Sequence, residues 1–131
     1  MRIYVTKVFA RFARKEGLVD ERLCDAVTRA ERGLVDADLG GGLIKQRVAR
    51  TGRGRSGGYR TVIAYRASKR SVFLFGFAKN QRENIDHKEL DALRNLAKHF
   101  LGYTDEQIAT AVMHRELKEV SCDDQEKEQD R

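Results

Sequence analysis

The segment Ser71–Lys79, "SVFLFGFAK", is apolar at odd and even positions alike. A strand with one wet face alternates, so this pattern marks a strand buried on both sides. It belongs in the centre of a sheet, and the fold must supply layers that cover two faces. Two more strand candidates precede it. "LIKQRVAR" (43–50) alternates, with Ile44 and Val48 on one face and Lys45 and Arg47 on the other. "YRTVIAYR" (59–66) is rich in β-branched and aromatic residues. Residues 67–70 make a short hairpin turn, and residues 2–4 could form a further short strand.

The covering layers show as apolar stripes at helical spacing. Val5, Val8, Phe9, Phe12 and Ala13 recur at i, i+3, i+4, i+7 and i+8, and Gly17 ends that helix. Asp20 is the expected N-cap of a second helix, striped by Leu23, Ala26, Val27 and Ala30 and closed by Gly33. "DADLGGG" then reads as a flexible connection. Beyond the strands, Asp86 with Glu89 resembles a capping box, followed by Leu90, Leu93, Ala97 and Phe100, with Gly102 just past the end. Thr104 with Gln107 opens a fourth helix carrying Ile108, Ala111 and Val112. The order β-α-α-β-β-β-α-α predicts one α+β domain over residues 1–120. A small antiparallel sheet of about four strands packs against an N-terminal helical hairpin and C-terminal helices. Residues 121–131 are polar and charged and are expected to form a disordered tail.

Charge narrows the partner. The 131 residues carry a net +6, but the total hides the pattern. From Leu39 to Arg82 there is no Asp or Glu and there are eleven Lys/Arg, whereas the remaining chain has 15 basic and 20 acidic residues. Such asymmetry is the footprint of a polyanion site. A merely solvated basic face is the ordinary alternative. It is disfavoured because acids vanish over 44 residues of a chain otherwise rich in them.

Several chemistries are excluded. "TGRGRSGGYR" (51–60) holds a GxGxxG at Gly52, Gly54 and Gly57, the spacing of a dinucleotide turn. That turn must open a helix and be followed by an acidic residue about twenty positions on. Here a strand follows and the acid is missing, so the stretch reads as an inter-strand loop bearing Arg53 and Arg55. His87, His99 and His114 lack ligand spacing, and the basic region has no carboxylates for a metal. No metal and no cofactor are expected. Cys24 and Cys122 lie far apart and predict neither a disulfide framework nor a metal pair. With no apolar leader and no membrane-length run, the chain is expected in a reduced cytoplasm.

Chemistry that runs on Lys and Arg alone is available for RNA. The 2′-OH is an internal nucleophile, so the protein need only orient the ribose, neutralise a pentavalent phosphate and manage two protons. Arginines do the second task with planar, bidentate geometry. A lysine crowded by cations has a lowered pKa and can transfer a proton. Lys45, Arg47, Arg60, Lys79 and Arg82 could converge at one edge of the sheet. A plain nucleic-acid-binding face is the alternative that composition alone favours.

The stretches "GGGLIKQRVARTGRGRSGGYRTVIAYR" and "SVFLFGFAKNQRENI" resemble the RelE/HigB superfamily of bacterial type II toxins, most closely its HigB-like branch. The resemblance is specific from about Leu39 through the helix at 87–101, and looser over the N-terminal helices and Leu117–Val120. It implies a RelE-like fold and a ribosome-dependent mRNA interferase. Such an enzyme cuts in the A site by metal-free 2′-OH attack, leaving a cyclic phosphate and a 5′-hydroxyl. Position by position, it implies that Lys45 and Arg47 stand for the paired strand lysines, with Lys45 the proton-transfer group. Arg60 matches the arginine on the transition-state phosphate, and Lys79 and Arg82 match the basic stretch after the strand. Asn80 falls where some relatives carry an arginine. Arg50, Arg53, Arg55 and Asn80 are the expected RNA-binding contacts. The base-stacking aromatic of some relatives is absent near Asp86, leaving Tyr59 or Tyr65, although core packing suits Tyr65 better. The implied partners are an antitoxin of helix-turn-helix type, the ribosome with its rRNA and mRNA, and operator DNA through the antitoxin complex. No membrane is involved. The alternatives are a ParE-like toxin that inhibits DNA gyrase without nuclease activity, or a nucleic-acid-binding regulator of the same fold.

Overall fold

The computed structural model describes residues 1–50, 58–79 and 84–122. Its elements run β1 (Arg2–Thr6), α1 (Lys7–Glu16), α2 (Asp20–Glu31), β2 (Ala37–Gly40), β3 (Leu43–Val48), β4 (Tyr59–Arg66), β5 (Arg70–Ala78), α3 (His87–Leu101), α4 (Asp105–Met113) and β6 (Leu117–Glu119). The strands form one sheet in the order β2-β3-β4-β5-β1-β6. The α+β class is as expected, but the sheet has six strands rather than about four. It is also mixed, because β1 pairs with β5 in parallel. The connection read as flexible contains β2, an edge strand of four residues that takes its hydrogen bonds from β3. Val5, placed on the α1 stripe by its spacing, lies in β1 instead.

Helix starts follow the sequence closely. Thr6 caps α1 by accepting from the Phe9 N–H, and both Asp86/Glu89 and Thr104/Gln107 form complete capping boxes. Asp20 is the first residue of α2, and Val19 takes the cap position with no side-chain bond.

The sheet divides the core in two. On one face, Phe9, Leu23, Ala26 and Val27 of the helical hairpin pack on Ile44, Val48, Tyr59, Ile63 and Phe73. On the other, Leu93, Ala97, Phe100 and Leu101 of α3 cover Leu43, Val62, Ala64, Val72 and Leu74. The doubly apolar β5 is therefore interior, as its pattern requires. A bulge between Val62 and Ile63 places Phe75 opposite Val62 but Phe73 opposite Ile63, leaving Leu74 as the extra residue. Leu74 and Phe75 consequently both join the α3 side. Gly76 then faces α1 so closely that a Cβ would lie 2.5 Å from the Phe12 ring.

Two long-range ties close the hairpin layer onto the sheet. Cys24 of α2 forms a disulfide with Cys122, with the Cα atoms 6.1 Å apart. This overturns the expectation that these cysteines stay apart. The separation in sequence is bridged because β6 pairs with β1 and the Val120 N–H then bonds the Ile3 carbonyl at 2.8 Å. Ser121 and Cys122 thus belong to the folded part of the chain, while residues 123–131 of the expected tail lie outside the described residues. The second tie is Glu31 at the end of α2. Its carboxylate accepts from the Tyr65 hydroxyl and from the Ser68 N–H.

Burial, then the hydrogen bond and charge of Glu31, push the Tyr65 hydroxyl up to about 12. The folded state therefore favours the neutral phenol. That contribution to stability is complete below the ordinary tyrosine value near 10 and is lost as pH rises through about 12. Stability measured by urea denaturation should fall over this window, and the fall should be shallower in Tyr65→Phe. An equally steep fall in the variant would contradict this assignment.

Candidate functional site

Sheet parity decides where the cations go. Side chains alternate between faces, so Lys45 and Arg47 share the face of Leu43, and Arg60 shares the face of Val62 and Ala64. This is the α3 face, beyond the part that α3 covers. Lys45 stands opposite Val62, Arg47 opposite Arg60, and Arg60 opposite Phe77 on its other side. Lys45 and Arg60 are half-buried and Arg47 is exposed.

The ladder brings the two arginines close. The Tyr65 N–H bonds the Gly42 carbonyl at 2.8 Å, which makes pair 42/65 a hydrogen-bonded one. By alternation, pair 47/60 is non-hydrogen-bonded, the narrower kind, with Cα atoms about 4.5 Å apart. Like charges directly opposite on a sheet repel. Among the described residues the Arg60 Nη1, like Arg29 Nε and Arg50 Nε, is also buried with no hydrogen-bond partner. An orphaned buried donor costs about 1–3 kcal/mol, and this one is charged. An oxyanion seated between Arg47 and Arg60 would remove both penalties at once. The ladder thus gathers Lys45, Arg47 and Arg60 on one face of the sheet.

Lys79 is exposed and follows β5 directly, two residues past Phe77, so it stands at the same end of the sheet. Arg53, Arg55, Asn80 and Arg82 lie outside the described residues. Arg50 goes elsewhere. Its guanidinium carbon sits 5.2 Å from the centroid of the Tyr59 ring, and Tyr59 faces the helical hairpin, edge-on to Phe12. Arg50 is thus on the opposite face from Lys45, Arg47 and Arg60. Tyr59 and Tyr65 are both committed to the hairpin side, which leaves neither beside the cluster. The acid-free block is likewise not one patch. Arg70, at the far end of β5, bonds the carbonyls of Phe100 and Tyr103 and the Asp105 carboxylate, tying the end of α3.

Among the described residues no group of His, Cys, Asp or Glu could hold a metal ion, and no helix is long and apolar enough to cross a membrane. His99 is bonded to the Tyr103 hydroxyl at 2.7 Å.

The second glycine of "GGYR" has a steric reason. A Cβ on Gly58 would lie 2.1 Å from the Val48 carbonyl oxygen and 3.0 Å from the Arg50 nitrogen. Backbone, not a movable side chain, is in the way. Gly58→Ala should destabilise the protein by roughly 1–3 kcal/mol, read as a lower urea midpoint; an unchanged midpoint would contradict the close approach.

Sequence reasoning missed the groups behind the cluster. The Asp36 carboxylate accepts from the Arg47 N–H at 2.7 Å, and Arg29 of α2 donates to the Arg47 carbonyl. Gln46, fully buried, donates to the carbonyls of Ala26 and Leu34 and accepts from the Asp36 N–H. The only advance signal was a glutamine on the apolar face of an alternating strand.

The family model of the RelE toxin of the RelE / RelB toxin-antitoxin system matches residues 1–120 of this chain. A comparison with curated proteins finds no match.

Proposed function

This chain belongs to the RelE toxin family of toxin–antitoxin systems, and from that premise we propose that it is a ribosome-dependent mRNA endoribonuclease. Membership makes it a toxin with a cognate antitoxin, in a family whose toxins are generally endoribonucleases. The observation that most favours the finer reading is the Arg47–Arg60 pair, opposed across β3 and β4, with one buried guanidinium nitrogen left without a partner among the described residues.

In this mechanism the substrate's own 2′-OH attacks the scissile phosphate. Arg60 and Arg47 take the non-bridging oxygens, whose charge grows in the pentavalent transition state. Lys45, on the same face, takes the proton of the attacking hydroxyl as the 2′-O–P bond forms, and the P–O5′ bond breaks, its oxygen picking up a proton to leave as the 5′-hydroxyl. Lys79 and Arg82 complete the site after β5, and Arg53, Arg55 and Asn80 grip phosphates along the strand. Arg50 contributes from the hairpin side. The toxin acts in the cytoplasm, where translating ribosomes present mRNA in the A site. Its antitoxin is of the helix-turn-helix type, and their complex binds operator DNA.

End-group chemistry tests the mechanism. The downstream fragment should carry a 5′-hydroxyl that a polynucleotide kinase labels without prior dephosphorylation, and the upstream fragment a cyclic phosphate. Downstream fragments that begin with a 5′-phosphate would exclude 2′-OH attack. Inhibition of gyrase supercoiling with mRNA left intact would instead favour a ParE-like toxin.

A further inference from the structure

We propose that Arg29 and Asp36 are positioning residues that clamp the backbone of Arg47 and so set the spacing between Arg47 and Arg60. The role rests on the phosphate-binding reading of that pair. β2 pairs with β3 only as far as Ala37 opposite Lys45. Beyond that point β3 is an edge among the described strands, and the Arg47 N–H and C=O, which turn away from β4, have no described strand to bond. Side chains take the place of the missing strand. Asp36 accepts from the Arg47 N–H at 2.7 Å and Arg29 donates to the Arg47 carbonyl. The two clamp residues also pair with each other, with the Arg29 Nη1 3.7 Å from the Asp36 carboxylate. The Arg29 Nε also lies 3.5 Å from the Asp25 carboxylate, one turn earlier on α2, an ion-pair contact without a hydrogen bond.

The clamp is itself well anchored. The Arg29 side chain is only 12% exposed. The Asp36 N–H bonds the Gln46 side-chain oxygen at 2.7 Å, so the residue before Ala37 is stitched to the strand it supports. Its location matters because Arg47 and Arg60 repel each other across the ladder, and an unpaired strand end is free to twist outward under that load. Holding both backbone groups of Arg47 prevents this. Two guanidinium groups can then reach one phosphate, a geometry in which a displacement of about 1 Å can cost about 10²-fold.

The test uses the full chain and reads Arg47 directly. In Asp36→Ala, amide hydrogen exchange at Arg47 should speed up by about 10-fold or more, while Gln46 and Val48 stay protected by β4. Asp36→Asn keeps the acceptor and should restore most of that protection. Binding of a short single-stranded RNA at low salt gives the functional arm. Asp36→Ala should weaken it about 10-fold in the wild-type background but less than about 2-fold in an Arg47→Ala background, because coupled residues are non-additive. A general loosening of the fold would speed exchange at all three amides and lower affinity equally in both backgrounds; either result overturns the clamp. An Arg47→Ala protein that binds RNA as well as wild type overturns the phosphate reading of the site, and this role with it. Exchange at Arg47 then still reports whether the contact exists, which separates the two failures.

Discussion

Replacing Arg60 with alanine should reduce mRNA cleavage by about 10²-fold or more, the scale for losing a principal transition-state donor, while the protein stays folded. The two halves of this expectation have one origin. Arg60 is half-buried on β4, faces Arg47 across the ladder, and keeps a buried Nη1 without a partner among the described residues. In the free protein these features cost stability, through like-charge repulsion and an unsatisfied donor. Removing the side chain relieves both, against some lost packing of its aliphatic stem. Stability should therefore remain within about 1 kcal/mol of wild type. A residue kept for the fold would behave in the opposite way, with a large loss of stability and activity falling in proportion. Single-turnover cleavage beside urea denaturation separates these cases. Normal cleavage by Arg60→Ala would remove Arg60 from the site.

The largest effect on stability is expected at the disulfide. Cys24 and Cys122 are separated by 98 positions, so the bond constrains nearly the whole unfolded chain. Loop-closure entropy for a ring of this size is worth about 4 kcal/mol, with strain and residual structure reducing what is realised. Reduction, or Cys122→Ser, should lower the thermal midpoint by roughly 10 °C or more. Cys122 is the better position to change, because Cys24 is almost fully buried in the hairpin core and a hydroxyl there would bring its own cost. Cleavage per folded molecule should be unchanged below the transition. β6, which leads into Cys122, is separated from β4 by β1 and β5, far from Arg47 and Arg60. In a reducing compartment the pair stands as a dithiol, and this part of the stability is then absent. A midpoint insensitive to both reductant and Cys122→Ser would contradict the contribution.

Much of the fold could be read from local pattern, and the failures share a cause. β4 was legible at both ends because its β-branched and aromatic run is bounded by glycines and a polar turn. α3 and α4 were legible because each opens on a capping box whose two partners lie three residues apart. β2 was missed because "DADLGGG" carries loop residues. Its strand character comes from the partner β3, not from its own composition. β6 is three residues long and owes its place to β1. The parallel β1–β5 pairing and the Cys24–Cys122 bond join positions that no local window contains.

The site divides in the same way. Alternation along β3 was enough to put Lys45 and Arg47 on one face, and the neighbouring strand brought Arg60 to it. The support could not be foreseen. Arg29 reads as an ordinary helix cation and Asp36 as a polar loop residue until the end of β2 leaves the backbone of Arg47 exposed at an edge. Arg50 was expected among the RNA contacts with Arg53, Arg55 and Asn80, and the structure sets it against the ring of Tyr59, on the face opposite Lys45, Arg47 and Arg60.

Primer extension on an mRNA in a reconstituted translation reaction tests the central claim most directly. The expected result is a set of discrete cuts that appear with wild-type protein only when ribosomes are translating the message, and that disappear with Arg60→Ala. Intact mRNA in the presence of folded wild-type protein, or the same cuts on naked mRNA, would contradict it.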